Sequence, residues 1–301
     1  MKKLLTIILV ALIVLLSMTS CGGQFTPKDF HNTVKTGGEI ESKYMAMGEY
    51  GVSHYEEGAF HGFEKYHIYY PKELKDSNRK YPVIVFANGS GCSVSEYFHL
   101  LEHTASWGFI AIGTEEEFDW NGFASEMCLR HLIRLNEVSE VNDKPNIFKG
   151  KIDLDNVGIT GHSQGGVGVF NAITVQEHSY MYKAAVSLSP TNIELAAAIE
   201  WAYDATKIST PIMLLSGAGG GDDWVVTGEQ LKDIFDLIDS DKIMMRRVDT
   251  DHGQMLYSGE GYVIAFFMYH LQGDAEAGKA FLGDDAEILN NPLWQDVNKS
   301  K

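Results

Sequence analysis

The sequence predicts an α/β fold, a single domain with a mostly parallel central sheet flanked by helices, and three observations carry that expectation. From Glu64 onward short apolar runs alternate with longer amphipathic segments, which is how a sheet with helical crossovers reads. Runs such as Val83-Ile84-Val85-Phe86 are apolar throughout, as suits strands covered on both faces; a strand with one wet face would alternate. Once an export-type N-terminus is set aside, about 280 residues remain, a size that one large core can organise.

Taken in order, residues 1–20 read as a lipoprotein signal peptide: Lys2 and Lys3 supply charge, Leu4 to Leu16 an apolar run, and Ser17-Met18-Thr19-Ser20 leads into Cys21. Cys21 is the expected lipidation site, with Met18 where Leu is usual. An ordinary cleaved signal or a retained anchor are the alternatives, although the run is short for the roughly 20 residues of a spanning helix. Residues 21–60 are polar, contain Gly37-Gly38 and Gly48, and show no sustained period, so they read as a tether or N-terminal extension. Residues 61–301 form the domain. Its expected strands are Tyr66–Tyr70, Pro82–Ala87, Phe109–Gly113, Val157–Thr160, Ala184–Leu188, Ile212–Ser216 and Ile243–Val248. The segments 95–107, 123–138, 164–176, 228–239 and 260–272 are the expected helices. In open sheets of this kind ligands bind beyond the carboxyl ends of the strands, so chemistry is sought directly after these runs.

The formal net charge of −17 argues against nucleic acid or anionic headgroups as ligands, which such a surface repels. It also suits simple solubility of an exported protein. With Cys21 assigned to lipid, Cys92 and Cys128 remain; an oxidising compartment would permit a disulfide between them, against two separate buried thiols. No G-x-G-x-x-G or P-loop pattern follows a strand, so no nucleotide cofactor is inferred. His99 and His103 stand four apart on an expected helix, a spacing that can seat a metal, but no third ligand is evident, and no metal is assigned.

Gly161-His162-Ser163-Gln164-Gly165 fits G-x-S-x-G, in which a serine sits on a sharp strand-to-helix turn and small neighbours let the backbone pack. The bare pattern is weak, but Asn156-Val157-Gly158-Ile159-Thr160 supplies the strand before it and Gly166-Val167-Gly168-Val169-Phe170 a helix start after it. A serine hydroxyl needs a base, and the base an acid that holds its tautomer. Asp249-Thr250-Asp251-His252-Gly253 follows a strand and offers His252 as base. The loop Gly217-Ala218-Gly219-Gly220-Gly221-Asp222-Asp223-Trp224 follows another and offers the acid. Asp223 is preferred to Asp222, with Asp249 and Asp251 as substitutes. Two backbone N–H groups should face the developing oxyanion. Gln164 is one; in Asn88-Gly89-Ser90-Gly91-Cys92 the Ser90 amide is favoured as the other, with Gly91 its neighbour and rival. Trp120 and Trp224 are candidates to line a substrate pocket. Glu115-Glu116-Glu117 is either a solvated loop or a barrier to anionic substrates.

Four segments together resemble the bacterial cutinase, polyester hydrolase and chlorophyllase-like branch of the α/β hydrolases, with dienelactone hydrolases as more distant relatives. They are Tyr81 to Gly89, Leu101 to Ile110, Gly161 to Gly166, and Asp251-His252 leading into Tyr262 to Phe267. The resemblance spans about residues 64 to 272 and implies an α/β-hydrolase fold, with Ser163, Asp223 and His252 as the triad of a serine esterase, because Asp223-Trp224-Val225-Val226 fits the family's Asp-x-aliphatic pattern. It implies an acyl-enzyme route without a metal or other cofactor. In the polyester hydrolases an aromatic residue normally gives the first oxyanion amide, where this chain has Ser90. A second expected aromatic falls on Thr191, which puts aromatic polyesters in doubt as substrates. A phospholipase or acetylhydrolase on lipid or carbohydrate esters, and a catalytically silent surface-binding lipoprotein, are the competing expectations. The chain is expected to act as a monomer held at a bacterial membrane surface by its lipid anchor.

Overall fold

The computed structural model describes residues 25–59 and 62–300; the expected signal peptide and Cys21 lie outside the described residues. Among the described residues nine strands form one sheet. In chain order they are β1 (Val52–Gly58), β2 (Lys65–Pro71), β3 (Tyr81–Ala87), β4 (Ile110–Thr114), then, after a two-stranded hairpin of β5 (Glu140–Val141) and β6 (Lys144–Pro145), β7 (Ile152–His162), β8 (Tyr182–Leu188), β9 (Ile212–Gly217), β10 (Lys242–Arg247) and β11 (Trp294–Lys299). The spatial order is β1-β2-β4-β3-β7-β8-β9-β10-β11. The pairs from β4 through β10 are parallel, and antiparallel pairs close both margins.

The sheet is two-faced because side chains alternate along each strand. Val83, Val85 and Ala87 of β3 join one buried cluster, and Ile84 and Phe86 join the other. The principal helices are α1 (Glu39–Met45), α2 (Phe98–Ser106), α3 (Phe123–Glu137), α4 (Gln164–Ala172), α5 (Gly228–Leu237), α6 (His252–Ser258) and α7 (Glu260–Gln272). The first cluster receives Cys128, Leu129 and Leu132 of α3, Val169 and Phe170 of α4, and Leu231 and Ile234 of α5. The second receives Leu100 and Leu101 of α2 and Ile264 and Phe267 of α7. A side chain at Gly158 would meet Phe267 and Ile84 at 2.8 to 2.9 Å, so this glycine sets how closely α7 lies on the sheet.

Two sequence expectations are corrected here. The segment expected to be a tether belongs to the domain from Phe25 onward: Phe30, Tyr44 and Met45 are buried in the second cluster, and β1 extends the sheet. What holds it is a charge taken out of water. The fully buried Glu41 accepts hydrogen bonds from Arg247 Nη1 at 2.9 Å, Trp294 Nε1 at 2.8 Å, Asn291 Nδ2 at 2.8 Å and the Gly37 amide at 2.7 Å. Cys92 and Cys128 are separate thiols rather than a disulfide. Cys128 is buried in the first cluster and Cys92 packs against the second, so the sheet stands between them.

Removing Glu41 leaves Arg247 buried without its counter-charge, and breaking a buried pair in this way costs about 3–5 kcal/mol. Glu41→Ala is therefore expected to lower the unfolding free energy by that amount, read as a lower denaturant midpoint at unchanged slope. A midpoint equal to the wild type would mean that this segment does not stabilise the domain.

Candidate active site

Three strand ends bring the candidate residues together. Ser163 follows β7, where the chain turns directly into α4, and it holds φ 60° and ψ −120°, a backbone region that costs a non-glycine residue about 1–3 kcal/mol. The glycines around it are required by space. A side chain at Gly161 would come within 2.5 Å of the Gly165 carbonyl oxygen, and one at Gly165 within 2.1 Å of the Ala87 carbonyl oxygen. The Ser163 amide is anchored on the Leu188 carbonyl at 2.9 Å, which ties the turn to β8.

His252 opens α6, five residues beyond Arg247 at the end of β10, and Asp251 before it caps that helix by accepting from the Gln254 amide at 2.9 Å. The ring reaches both ways: Nε2 lies 2.9 Å from Ser163 Oγ and Nδ1 lies 2.6 Å from Asp222 Oδ1. Because a carboxylate only accepts, Nδ1 carries the proton and Nε2 presents its lone pair to the serine hydroxyl.

The carboxylate at that position is Asp222, which corrects the preference for Asp223. The loop after β9 winds into a short 3-10 turn over Asp222–Trp224, which points consecutive side chains in different directions. Asp222 turns inward, where its Oδ2 accepts from Ser189 Oγ at 2.8 Å and from the Gly217 amide. Burial works to raise its pKa, but the hydrogen bonds from His252, Ser189 and Gly217 prevail and the carboxyl lies below its ordinary value. Asp223 turns outward, half-exposed, and pairs with Arg246 at 2.6 Å. Asp251 is occupied as the cap, and Asp249 is exposed.

The oxyanion candidates also separate. The Gly91 amide donates to the Glu117 carbonyl at 2.9 Å, so it is engaged elsewhere. Among the described residues neither the Ser90 nor the Gln164 amide has a hydrogen-bond acceptor, and Gln164 is the first residue of α4, where an orphan donor is expected. The Ser90 loop is braced by Asn88, whose Nδ2 donates to the carbonyls of Thr114 at 2.8 Å and Glu116 at 2.6 Å. Thus the Glu115–Glu117 segment is a built support of this loop. Trp120 is half-buried in a loop held on α4 by the Asp119 amide donating to Gln164 Oε1 at 3.0 Å. Trp224 is 77% exposed. Thr191 is buried, and its carbonyl accepts from Tyr203 Oη at 3.1 Å. His103 is engaged through both ring nitrogens, by Glu260 and by the Met45 and Ala46 carbonyls, and does not join His99 in a ligand pair.

Two supporting residues escaped the reading of the sequence. Ser189, at φ 44° directly after β8, holds Asp222; its place at a strand end was the available signal. His162, the variable position inside G-x-S-x-G, donates from Nε2 to the His252 carbonyl at 2.7 Å, and its ring lies 4.4 Å from the His252 ring. This bond joins the serine turn to the histidine loop, and no sequence pattern announces it.

The family model described as PETase, PET hydrolase-like, matches residues 32–252, a stretch that includes Ser163 and Asp222 and ends on His252. The chain is 31% identical over 134 residues to Putative esterase YitV of Bacillus subtilis (strain 168), an alignment taking in 40% of this chain and 51% of that protein. The chain thus spans about half the length of the curated relative it matches.

Burial, and after it the neighbouring His252, pushes the His162 imidazole down from 6.5 to about 3. The unfolded chain therefore takes up this proton first as pH falls, so His162 contributes stability that is complete above about pH 6.5 and is lost on the way down to pH 3. In nitrogen NMR the His162 ring should remain neutral with its proton on Nε2 down to about pH 4.5, well above the pKa near 3. A titration centred near 6.5 would show that the bond to the His252 carbonyl does not persist in solution.

Proposed function

Because the chain belongs to the PET hydrolase-like family of α/β hydrolases, we propose that it is a serine esterase that cleaves carboxylic esters through an acyl-enzyme. The observation that carries this reading is the unbroken line Ser163 Oγ to His252 to Asp222, with contacts of 2.9 and 2.6 Å, set on a strained turn. Ser163 attacks the ester carbonyl while His252 Nε2 takes its proton. The resulting imidazolium is held by Asp222, which keeps the ring in the productive tautomer. The negative oxygen of the tetrahedral intermediate is met by the Ser90 and Gln164 amides, each such donor being worth about 10²–10³ in rate. The imidazolium then gives its proton to the leaving alkoxide, the alcohol departs, and a water activated by the same His252 releases the acid and restores Ser163. No step calls for a metal or an organic cofactor.

What surrounds the turn supports a narrower substrate class. Ser90 and Thr191 stand where the resemblance expects aromatic clamps, so aliphatic esters fit this site better than aromatic polyesters. Trp120 and Trp224 would supply apolar surface to the acyl or alcohol part. The protein's formal charge of −17 favours uncharged substrates over anionic ones. On the sequence of its first 21 residues, the enzyme would be exported and tethered through lipid on Cys21 at the cell surface.

Ser163→Ala is expected to lower hydrolysis of a short p-nitrophenyl ester by at least about 10⁴-fold without altering the melting temperature by more than a few degrees. The wild type should be labelled by a fluorophosphonate probe and the variant should not. An unlabelled wild type would replace the esterase with a silent binding protein, and a variant that keeps full turnover would remove Ser163 from the reaction.

A further inference from the structure

On the outer face of the sheet margin, three side chains form a cluster that the ester chemistry does not use. His54 and Glu56 of β1 and His67 of β2 each offer one ligand atom, and these atoms lie within 4.8 Å of one another. The sheet register puts them there: Glu56 stands opposite His67, and His54 opposite Tyr69, two residues further along the same strand. The three side chains therefore share one face. We propose that His54, Glu56 and His67 bind a divalent transition-metal ion of zinc's class.

The two imidazoles meet nitrogen to nitrogen, His54 Nε2 lying 3.0 Å from His67 Nδ1. Their planes differ by 4° with centroids 5.2 Å apart, so the rings approach through these atoms. Two nitrogens at about 2.0–2.1 Å from a tetrahedral ion stand about 3.4 Å apart, so a small outward tilt of the exposed His54 ring makes room for the ion. On its far side His67 Nε2 lies 2.8 Å from Glu115 Oε1, and Ser95 Oγ donates to the other oxygen of that carboxylate at 2.8 Å. The negative charge keeps the proton of His67 on Nε2 and leaves Nδ1 as a lone pair facing the cluster. This is the carboxylate–histidine support that orients metal-bound imidazoles. Tyr69 stacks on His54 with centroids 4.5 Å apart and limits where its ring can swing. Glu56, now paired with Lys65 at 2.9 Å, supplies a carboxylate from the exposed side. Two imidazoles with a single carboxylate suit zinc, cobalt, nickel or copper; calcium and magnesium demand a larger oxygen shell. A bound ion would cross-link the margin pair β1–β2.

The test is calorimetric titration of ZnCl₂ into the full chain, without a histidine tag and stripped with EDTA, alongside thermal melts with and without zinc. The wild type should bind one ion per chain saturably, and zinc should raise its melting temperature. His54→Ala should lose both effects, Glu56→Gln should bind about 10-fold or more weakly, and Glu115→Gln should weaken binding about 10–100-fold. His54 is exposed, so its variant should melt with the wild type in EDTA; if it does not, Glu56→Gln carries the comparison. Absence of saturable binding at millimolar zinc, or equal binding by wild type and these variants, would overturn the proposal.

Discussion

The arrangement depends on one hydrogen bond, that between His252 Nδ1 and the buried Asp222 carboxylate at 2.6 Å. It fixes which ring nitrogen carries a proton, and so which one can receive the proton of Ser163. A buried carboxylate must itself be satisfied. Ser189 Oγ and the Gly217 amide, from the ends of β8 and β9, supply what His252 leaves open. Asp222 is therefore held by three partners on separate stretches of chain, and its low pKa is the sum of their hydrogen bonds against the opposing effect of burial.

The sheet is what makes that convergence possible. β7, β8, β9 and β10 are parallel neighbours, so their carboxyl ends open on one side and their loops cluster there. Each candidate side chain sits at such an end: Ser163 after β7, Ser189 after β8, Asp222 after β9 and His252 after β10. The strained backbone of Ser163 is kept by glycines that allow α4 to lie directly on Ala87 and by the amide bond to Leu188. His162 then closes the assembly by bonding the His252 carbonyl. The serine turn and the histidine loop hold each other as well as the substrate carbonyl they would embrace.

Much of this was legible in the residues. The apolar runs located the six parallel strands and β2 to within a few residues, because buried parallel strands need no alternation to be recognised. β1 was missed since it is a margin strand with one wet face, where His54, Glu56 and Gly58 are exposed. Its polar composition reads as linker. The packing of residues 25–58 hinges on Glu41, and one acidic residue in a polar stretch gives no sign that Arg247 will bury with it. The choice between Asp222 and Asp223 lay beyond the sequence for a geometric reason: in a glycine-rich loop neither spacing nor periodicity says which of two adjacent carboxylates turns inward. The spacing pattern of the resemblance favoured Asp223, and the 3-10 turn reversed it. The cysteines could be paired on paper because the sequence does not show that the sheet separates them.

Comparing Asp222→Asn with Asp223→Asn in the same ester assay tests the central hydrogen bond most directly. The first should lose about 10⁴-fold in kcat, the scale seen when a triad imidazole is left in the wrong tautomer, whereas the second should lose only a part-buried ion pair to Arg246 and stay within a few-fold of the wild type. A large loss in the Asp223 variant with little change in the Asp222 variant would contradict the account.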